Sequence, residues 1–403
     1  MAKAINLQAF KNFLKSETSG GIILIFCVIL SLLTANSPWG QGFEDLLNIE
    51  IGKNFGSVEL RYPILLWIND GLMAIFFLLV GLEIKRELVE GELSSIKQAI
   101  LPIVAALGGV LFPALIFHSF NHGLETDRGW AIPMATDIAF AIAIITLLGK
   151  HVPVSLKVFL AALAIVDDLM AIIVIAAFYS SSLHYTYLGY AAGLVILLCL
   201  FNRMGIKHLA FYIIPGIFIW YFIHHSGIHA TIAGVITAFT VPTNKVSTIS
   251  PLERLEHLLG KPVNFIIMPL FALANTNITF ESGMLEGLFT PLGLGIVLGL
   301  FFGKPLGIFI ISWLSIKLGI GKMPNKSTWA HLLGVGMLAG IGFTMSIFIS
   351  ILSFSGQHAL LSEAKFSILI GSLLSAITGS IFLILLSKKK NKKERHLGEE
   401  VQA

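Results

Sequence analysis

Twelve stretches of this chain are apolar and nearly free of charge, which excludes almost every water-soluble fold. They fall at about residues 20–36, 63–83, 98–118, 129–149, 155–178, 186–202, 207–224, 226–242, 262–275, 290–316, 328–354 and 364–387. A straight helix needs ~20 apolar residues to cross a bilayer. A chain that is 56% hydrophobic and 12% charged cannot cover itself with polar surface, since soluble domains carry roughly 25% charged residues. The fold class is therefore an all-α polytopic membrane protein with twelve transmembrane helices. Several stretches are short for a span, so some helices are expected to be short or to end in polar cavities. The first 18 residues, MAKAINLQAFKNFLKSET, lead into a run without a small-residue cleavage site, so no cleaved signal peptide is expected. Cys27 and Cys199 both lie in apolar stretches and read as packing residues.

The basic residues orient the spans. Of 27 Lys and Arg, 22 fall on the side that holds the N-terminus, the even-numbered loops and the basic tail. Only Lys53, Arg61, Arg128 and Lys365 fall on the other, and Lys304 lies inside a stretch. The excess of positive charge puts both termini in the cytoplasm. Residues 1–19 then form a cytoplasmic segment, 20–387 the membrane domain, and 388–403 a basic cytoplasmic tail suited to anionic lipid. Between the first two spans, NIEIGKNFGSVELRY (48–62) alternates Ile49, Ile51, Val58 and Leu60 around a Gly/Asn-rich centre. This predicts a small outer β-hairpin over about 46–62. An isolated hairpin is marginal in water, so pairing edge to edge with a second copy, hence a homodimer, is expected.

Five ionisable residues lie within the stretches: Asp70, Asp137, Asp167, Asp168 and Lys304. Each costs ~2.5–3.5 kcal/mol at mid-membrane. Asp167 and Asp168, in ALAIVDDLMAIIVIAAFY, sit ~15 Å from either end of their helix, too far for a short side chain to reach water at the interface. Neighbouring helical residues project ~100° apart, so one face cannot bury both; at least one must meet water, a cation or a lysine. Asp70 lies near the start of its stretch, where orienting a helix is as reasonable a role as transport. His229 reads as a hydrogen-bonded packing histidine, and His224 and His225 as interfacial.

Two stretches carry helix-breaking signals. In WAIPMATDIAFAIA (130–143), Pro133 removes a backbone donor and disfavours helix before it, and Thr136 and Asp137 follow at once. GVGMLAGIGFTMSIF (334–348) has glycines at 334, 336, 340 and 342. The two are the middle members of matching triplets of spans, about 98–178 and 290–387, separated by an odd number of crossings. Paired interruptions in oppositely oriented halves point to an inverted-repeat secondary transporter. Interrupted helices leave dipole ends facing one another; Asp137 would offset N-terminal ends and Lys304 C-terminal ends.

The stretches GLEIKRELVEGEL (81–93), WAIPMATDIAFA (130–141), ALAIVDDL (162–169), SGIHATIAGV (226–235), RLEH (254–257), GKPLGI (303–308) and GIGFTMSIFI (340–349) resemble the NhaA-type bacterial sodium/proton antiporters. The match runs in order from about residue 10 to 385, and this family is itself a standard example of the inverted repeat. The resemblance implies that Asp167 and Asp168 carry the cation and the proton. It places Thr136, Asp137 and Lys304 in the site at two crossing, interrupted helices. It implies exchange of cytoplasmic Na+ or Li+ for a larger number of external protons, switched on at alkaline pH, in a bacterial inner membrane. Glu83, Arg86, Glu87, Glu256 and His257 match the proposed pH-response region, and the outer hairpin would join a homodimer. Glu253 and Gly260 depart from the family, where a lysine and a second histidine are usual, and the pH set-point is where those departures would act.

Na+ prefers oxygen ligands, which two carboxylates, a threonine hydroxyl and freed carbonyls supply. The carboxylates titrate as a coupled pair, so a proton and Na+ compete for one charge. No phosphate loop, HExxH motif or Cys/His ligand cluster is present. An enzyme, an ATP-driven pump, a cofactor and a nucleic-acid partner are therefore not expected. A sodium-coupled organic-anion symporter of related fold is the alternative. An intramembrane aspartyl protease would need aspartates on separate helices and a GxGD sequence, and a passive channel would not need added sodium.

Overall fold

A computed structural model describes residues 7–54, 60–180, 183–243, 249–280 and 283–402. Residues 1–6 of the expected N-terminal segment, the hairpin centre 55–59 with Val58, and 244–248 of the loop before Pro251 lie outside the described residues. The described residues are mostly helical, with one two-stranded sheet, and the chain divides into two units. One comprises Met1–Ile22, Ser95–Asp168 and Ser282–Ala403; the other comprises Ile23–Ser94 and Leu169–Glu281.

Among the described residues, seven helices are long and apolar enough to span a membrane, and up to ten if three bent pairs each count as one. Two of the bent pairs are the stretches with breaking signals. Glu125–Met134 meets Ile138–Leu147 at 40°, and Trp329–Ala339 meets Phe343–Ser353 at 47°. The remaining two stretches form shorter helices, Ala210–His224 and the nine-residue Ile232–Thr240. The latter starts late because Gly227 takes a positive φ of 86° and His229 Nδ1 pairs with the Thr231 hydroxyl at 2.9 Å. Both features hold the chain out of helix.

Several boundaries move from those expected. The first helix runs Leu7–Ala35, so the segment before residue 20 is helical from Leu7 on. The last runs His358–Gln402, through the basic tail. The stretch expected at 262–275 belongs to a helix that starts at Pro251 and continues to Asn275. Its start is a capping box: Glu253 N–H donates to Ser250 Oγ (3.1 Å), and Ser250 N–H donates to Glu253 Oε2 (2.7 Å). Pro251 occupies the first turn, where its missing N–H costs nothing. Pro262 is absorbed by a π turn at Val263–Ile267.

In the first unit, helix Lys304–Lys317 packs on Ile96–Asn121. Gly108 and Gly307 meet at that crossing, and a Cβ on Gly307 would lie 2.7 Å from the Gly108 carbonyl carbon. Small residues allow this approach of backbones. In the second unit, Ile232–Thr240 packs on Met73–Val89, around a core that includes Leu82, Tyr212, Ile219, Ala233 and Leu252. Lys85 Nζ donates to the carbonyls of Phe239 (2.7 Å) and Val241 (2.6 Å), closing the C-terminal end of the short helix. The expected hairpin is an antiparallel pair of two-residue strands, Glu50–Ile51 and Tyr62–Pro63, with Ile51 opposite Tyr62. Arg61 and Glu50 form an ion pair across it at 2.9 Å.

Candidate functional site

The two breaks of the first unit meet one another. Pro133 ends the helix Glu125–Met134; Ala135 is extended (ψ 149°), and Asp137 caps Ile138–Leu147. The Asp137 N–H donates to the Ile341 carbonyl in the second break at 2.6 Å. That approach depends on Gly342, where a Cβ would lie 2.9 Å from Leu300 Cδ2 and 3.1 Å from the Ala135 carbonyl oxygen.

Asp137 holds the N-terminal ends of two half-helices. Its Oδ1 accepts from Phe140 N–H (3.0 Å), and its Oδ2 accepts from Thr344 N–H (3.0 Å) and from the Thr344 hydroxyl. A buried carboxylate there offsets the positive ends of both dipoles. The C-terminal ends are held in the opposite sense. Lys304, fully buried, donates to the carbonyl of Met134, the last residue of the first half-helix. The Thr136 hydroxyl lies 2.9 Å from the carbonyl of Ala339, the last residue of the other. Lys304 itself follows a π turn, Gly299–Gly303, and opens the helix Lys304–Lys317. Such turns often aim side chains at functional sites.

Asp167 and Asp168 project into this meeting point from the middle of helix Val154–Phe178. Both are buried, at 1% exposure. Asp167 Oδ2 accepts from Lys304 Nζ at 2.5 Å and lies 2.5 Å from the Thr136 hydroxyl. Asp167 Oδ1 and Asp168 Oδ1 are buried without a hydrogen-bond partner. Buried polar atoms are almost always paired, and a buried carboxylate oxygen with no donor calls for a proton, a water or a cation. Two such oxygens on adjacent residues, with the Thr136 hydroxyl 2.5 Å from Asp167 Oδ2, are ligands of the kind that a hard cation such as Na+ takes. One cation, Lys304, shares the cluster with three carboxyl groups.

The structure therefore brings Thr136, Asp137, Asp167, Asp168 and Lys304 together, and adds Thr344 and the Met134, Ala339 and Ile341 carbonyls. Thr344 sits in the quoted GIGFTM motif, directly after the break, and a threonine there was the available signal. Backbone carbonyls have no residue signature.

The second unit holds the other cluster. Arg86 pairs through Nε with Glu256 (2.9 Å) and through a terminal nitrogen with Glu87 (3.1 Å). Glu83 lies one turn earlier, within electrostatic reach of Arg86. His257 is exposed beside Glu256. Glu253 is committed to capping its own helix. Asp70 faces two histidines, His224 at 3.2 Å and His229 at 3.6 Å. Its role in holding three elements of that unit was not legible from one stretch alone.

A helical membrane protein with two broken helices joined at a buried carboxylate pair has the build of a secondary transporter, binding at a site between half-helices. The chain matches the Na+/H+ antiporter 1 family over residues 11–383 and belongs to it. It is similar to Na(+)/H(+) antiporter NhaA 2 of Flavobacterium johnsoniae, at 61% identity over 98% of this chain and 96% of that protein. It is also similar to Na(+)/H(+) antiporter NhaA of Proteus mirabilis, at 48% identity over 96% and 99%. A third relative, Na(+)/H(+) antiporter NhaA of Flavobacterium psychrophilum, is 50% identical over 92% and 94%. The family is one of membrane transporters, not enzymes.

Proposed function

We propose that this chain is a secondary active transporter of a bacterial inner membrane that exchanges cytoplasmic Na+ or Li+ for external protons at Asp167 and Asp168. The observation that carries the reading is the pair of buried, unpartnered carboxylate oxygens where the two broken helices meet. With protons bound, the carboxyls are neutral and the site can reorient. With Na+ bound, the cation supplies the compensating charge. An empty, doubly charged site in low dielectric cannot change access, so competition between Na+ and the protons of the pair makes exchange obligatory. Protonated Lys304 pairs with Asp167 when that carboxyl is ionised and Na+ is absent; Na+ binding disrupts the pair. More protons enter than cations leave, so exchange is electrogenic.

The sign of the pH dependence follows from the competition. As pH rises, fewer protons occupy the carboxylates, and apparent Na+ affinity gains about tenfold per pH unit for each competing proton. Exchange is therefore switched on at alkaline pH. Arg86 with Glu83, Glu87, Glu256 and His257 forms the cytoplasmic pH-response region. Twelve spans, with inverted repeats over about 98–178 and 290–387 and both termini cytoplasmic, complete the topology, and the outer hairpin joins a homodimer. No cofactor enters the cycle.

Everted membrane vesicles from cells without other antiporters test the reading. An acid-inside gradient is set up at alkaline external pH, then NaCl, LiCl or KCl is added. Na+ and Li+ are expected to alkalinise the lumen promptly, and acid external pH is expected to suppress the response. A response that requires an added organic anion would instead establish the symporter. No response to any cation from correctly inserted protein would overturn the exchange reading.

A further inference from the structure

Away from the carboxylate site, three side chains of the first unit converge at the end of helix Ile96–Asn121. His118 and the residue just past the helix end, His122, stand four positions apart and so share a face. Asp127 reaches back to them from the helix Glu125–Met134. Asp127 Oδ1 lies 3.0 Å from His118 Nδ1, and Asp127 Oδ2 lies 4.0 Å from His122 Nδ1. One ligand atom from each residue falls within 4.8 Å of the others. We propose that His118, His122 and Asp127 form a binding site for a divalent transition-metal ion of the Zn2+ class, bridging the two helices.

The spacing suits such an ion. Zn–N and Zn–O bonds of about 2.0–2.2 Å in a tetrahedron place ligand atoms roughly 3.3–3.5 Å apart, so small side-chain rotations suffice. Two imidazoles and one carboxylate favour Zn2+, Ni2+ or Cu2+ over Na+ or Mg2+, which take oxygen ligands. A simple ion pair explains less. Exposed pairs contribute ~0–1 kcal/mol, and the His118 pair alone gives no reason for the second imidazole, 75% exposed, to stand with its ring centroid 4.6 Å from the first. That exposure also leaves a fourth position for water.

The backbone beneath the three residues is held in place. Asn121, fully buried, donates through Nδ2 to the carbonyls of Phe117 (3.0 Å) and Pro291 (2.8 Å), and its Oδ1 accepts from the Thr126 hydroxyl (2.7 Å). Gly123 turns the chain with φ 75°. Leu124 N–H then donates to Asn121 O (3.0 Å), and Asp127 N–H to Leu124 O (3.1 Å). The ligands thus start close to their bound arrangement, which lowers the cost of binding. This inference is independent of the exchange reading.

The test uses full-length protein in detergent, purified without a histidine tag, stripped with chelator, and titrated with Zn2+ against a chromophoric competitor. Because the chain carries 12 histidines, variants decide the location. The expected result is one Zn2+ per chain, with affinity lowered at least tenfold in H118Q, H122Q and D127N, and Na+ or Mg2+ failing to compete. Metal-free unfolding profiles equal to the parent's show that the variants are folded. Absence of Zn2+ binding by the parent, or undiminished binding by the folded H118Q/H122Q double variant, would overturn the assignment.

Discussion

Replacing Lys304 by alanine is expected to destabilise the protein by about 3–5 kcal/mol, the cost of leaving one partner of a buried ion pair uncompensated. Lys304 and Asp167 are both fully buried at the side chain and 2.5 Å apart. The lysine also holds the Met134 carbonyl at the end of a half-helix. Removing it leaves the Asp167 carboxylate without its counter-charge, with only the Thr136 hydroxyl at 2.5 Å, and the Met134 carbonyl and its dipole end without that donor. Equilibrium unfolding in mixed micelles measures the loss. The double variant Lys304→Ala/Asp167→Asn is expected to recover much of it, because asparagine removes the orphaned charge and keeps the shape. If Lys304→Ala unfolds at the same free energy as the parent, the pair does not hold the broken helices together.

Asp168→Asn is expected to abolish exchange without that loss of stability. Asp168 makes no hydrogen bond through Oδ1, and Lys304 keeps Asp167 as its partner. Folding should therefore be close to normal. Transport should not be. A unit charge ~4 Å from a cation is worth about 4 kcal/mol at an effective dielectric near 20, or roughly a thousandfold in affinity. Asparagine can neither supply that charge nor carry a proton. Asp167→Asn should lose exchange too, but with impaired stability, because it strands Lys304. The contrast between the two variants, read in the same vesicles and the same unfolding assay, separates transport from assembly. Retained exchange in Asp168→Asn would remove that residue from the carriers.

Much of the site was legible because its residues violate the rules of their surroundings. Asp167, Asp168 and Lys304 are charged where charge is costly, Pro133 sits where a helix should continue, and the glycines of GIGFTM crowd one span. What remained hidden depends on packing. The carbonyls of Met134, Ala339 and Ile341 acquire partners only when the two breaks meet, and any residue could have supplied them. Asp70 finds His224 and His229 across some 150 positions of chain, a distance no local pattern bridges. The start of helix Pro251–Asn275 was written in the sequence as Ser250-Pro251-Leu252-Glu253. Glu253, a departure from the family's usual residue, has a local structural use in its capping hydrogen bonds. The short helix Ile232–Thr240 was hidden for the opposite reason: its apolar stretch is longer than the part that is helical.

The proposed exchange requires that one carboxylate pair, Asp167 and Asp168, hold either Na+ or protons. Adding Na+ to the purified, weakly buffered protein and recording proton release with an indicator dye examines that exchange at the binding step, without a membrane or a gradient. Prompt release is expected on Na+ or Li+ addition, absent in Asp168→Asn, and strongest where the pair is still protonated before the cation arrives. Saturable Na+ binding with no proton release at any pH would contradict it.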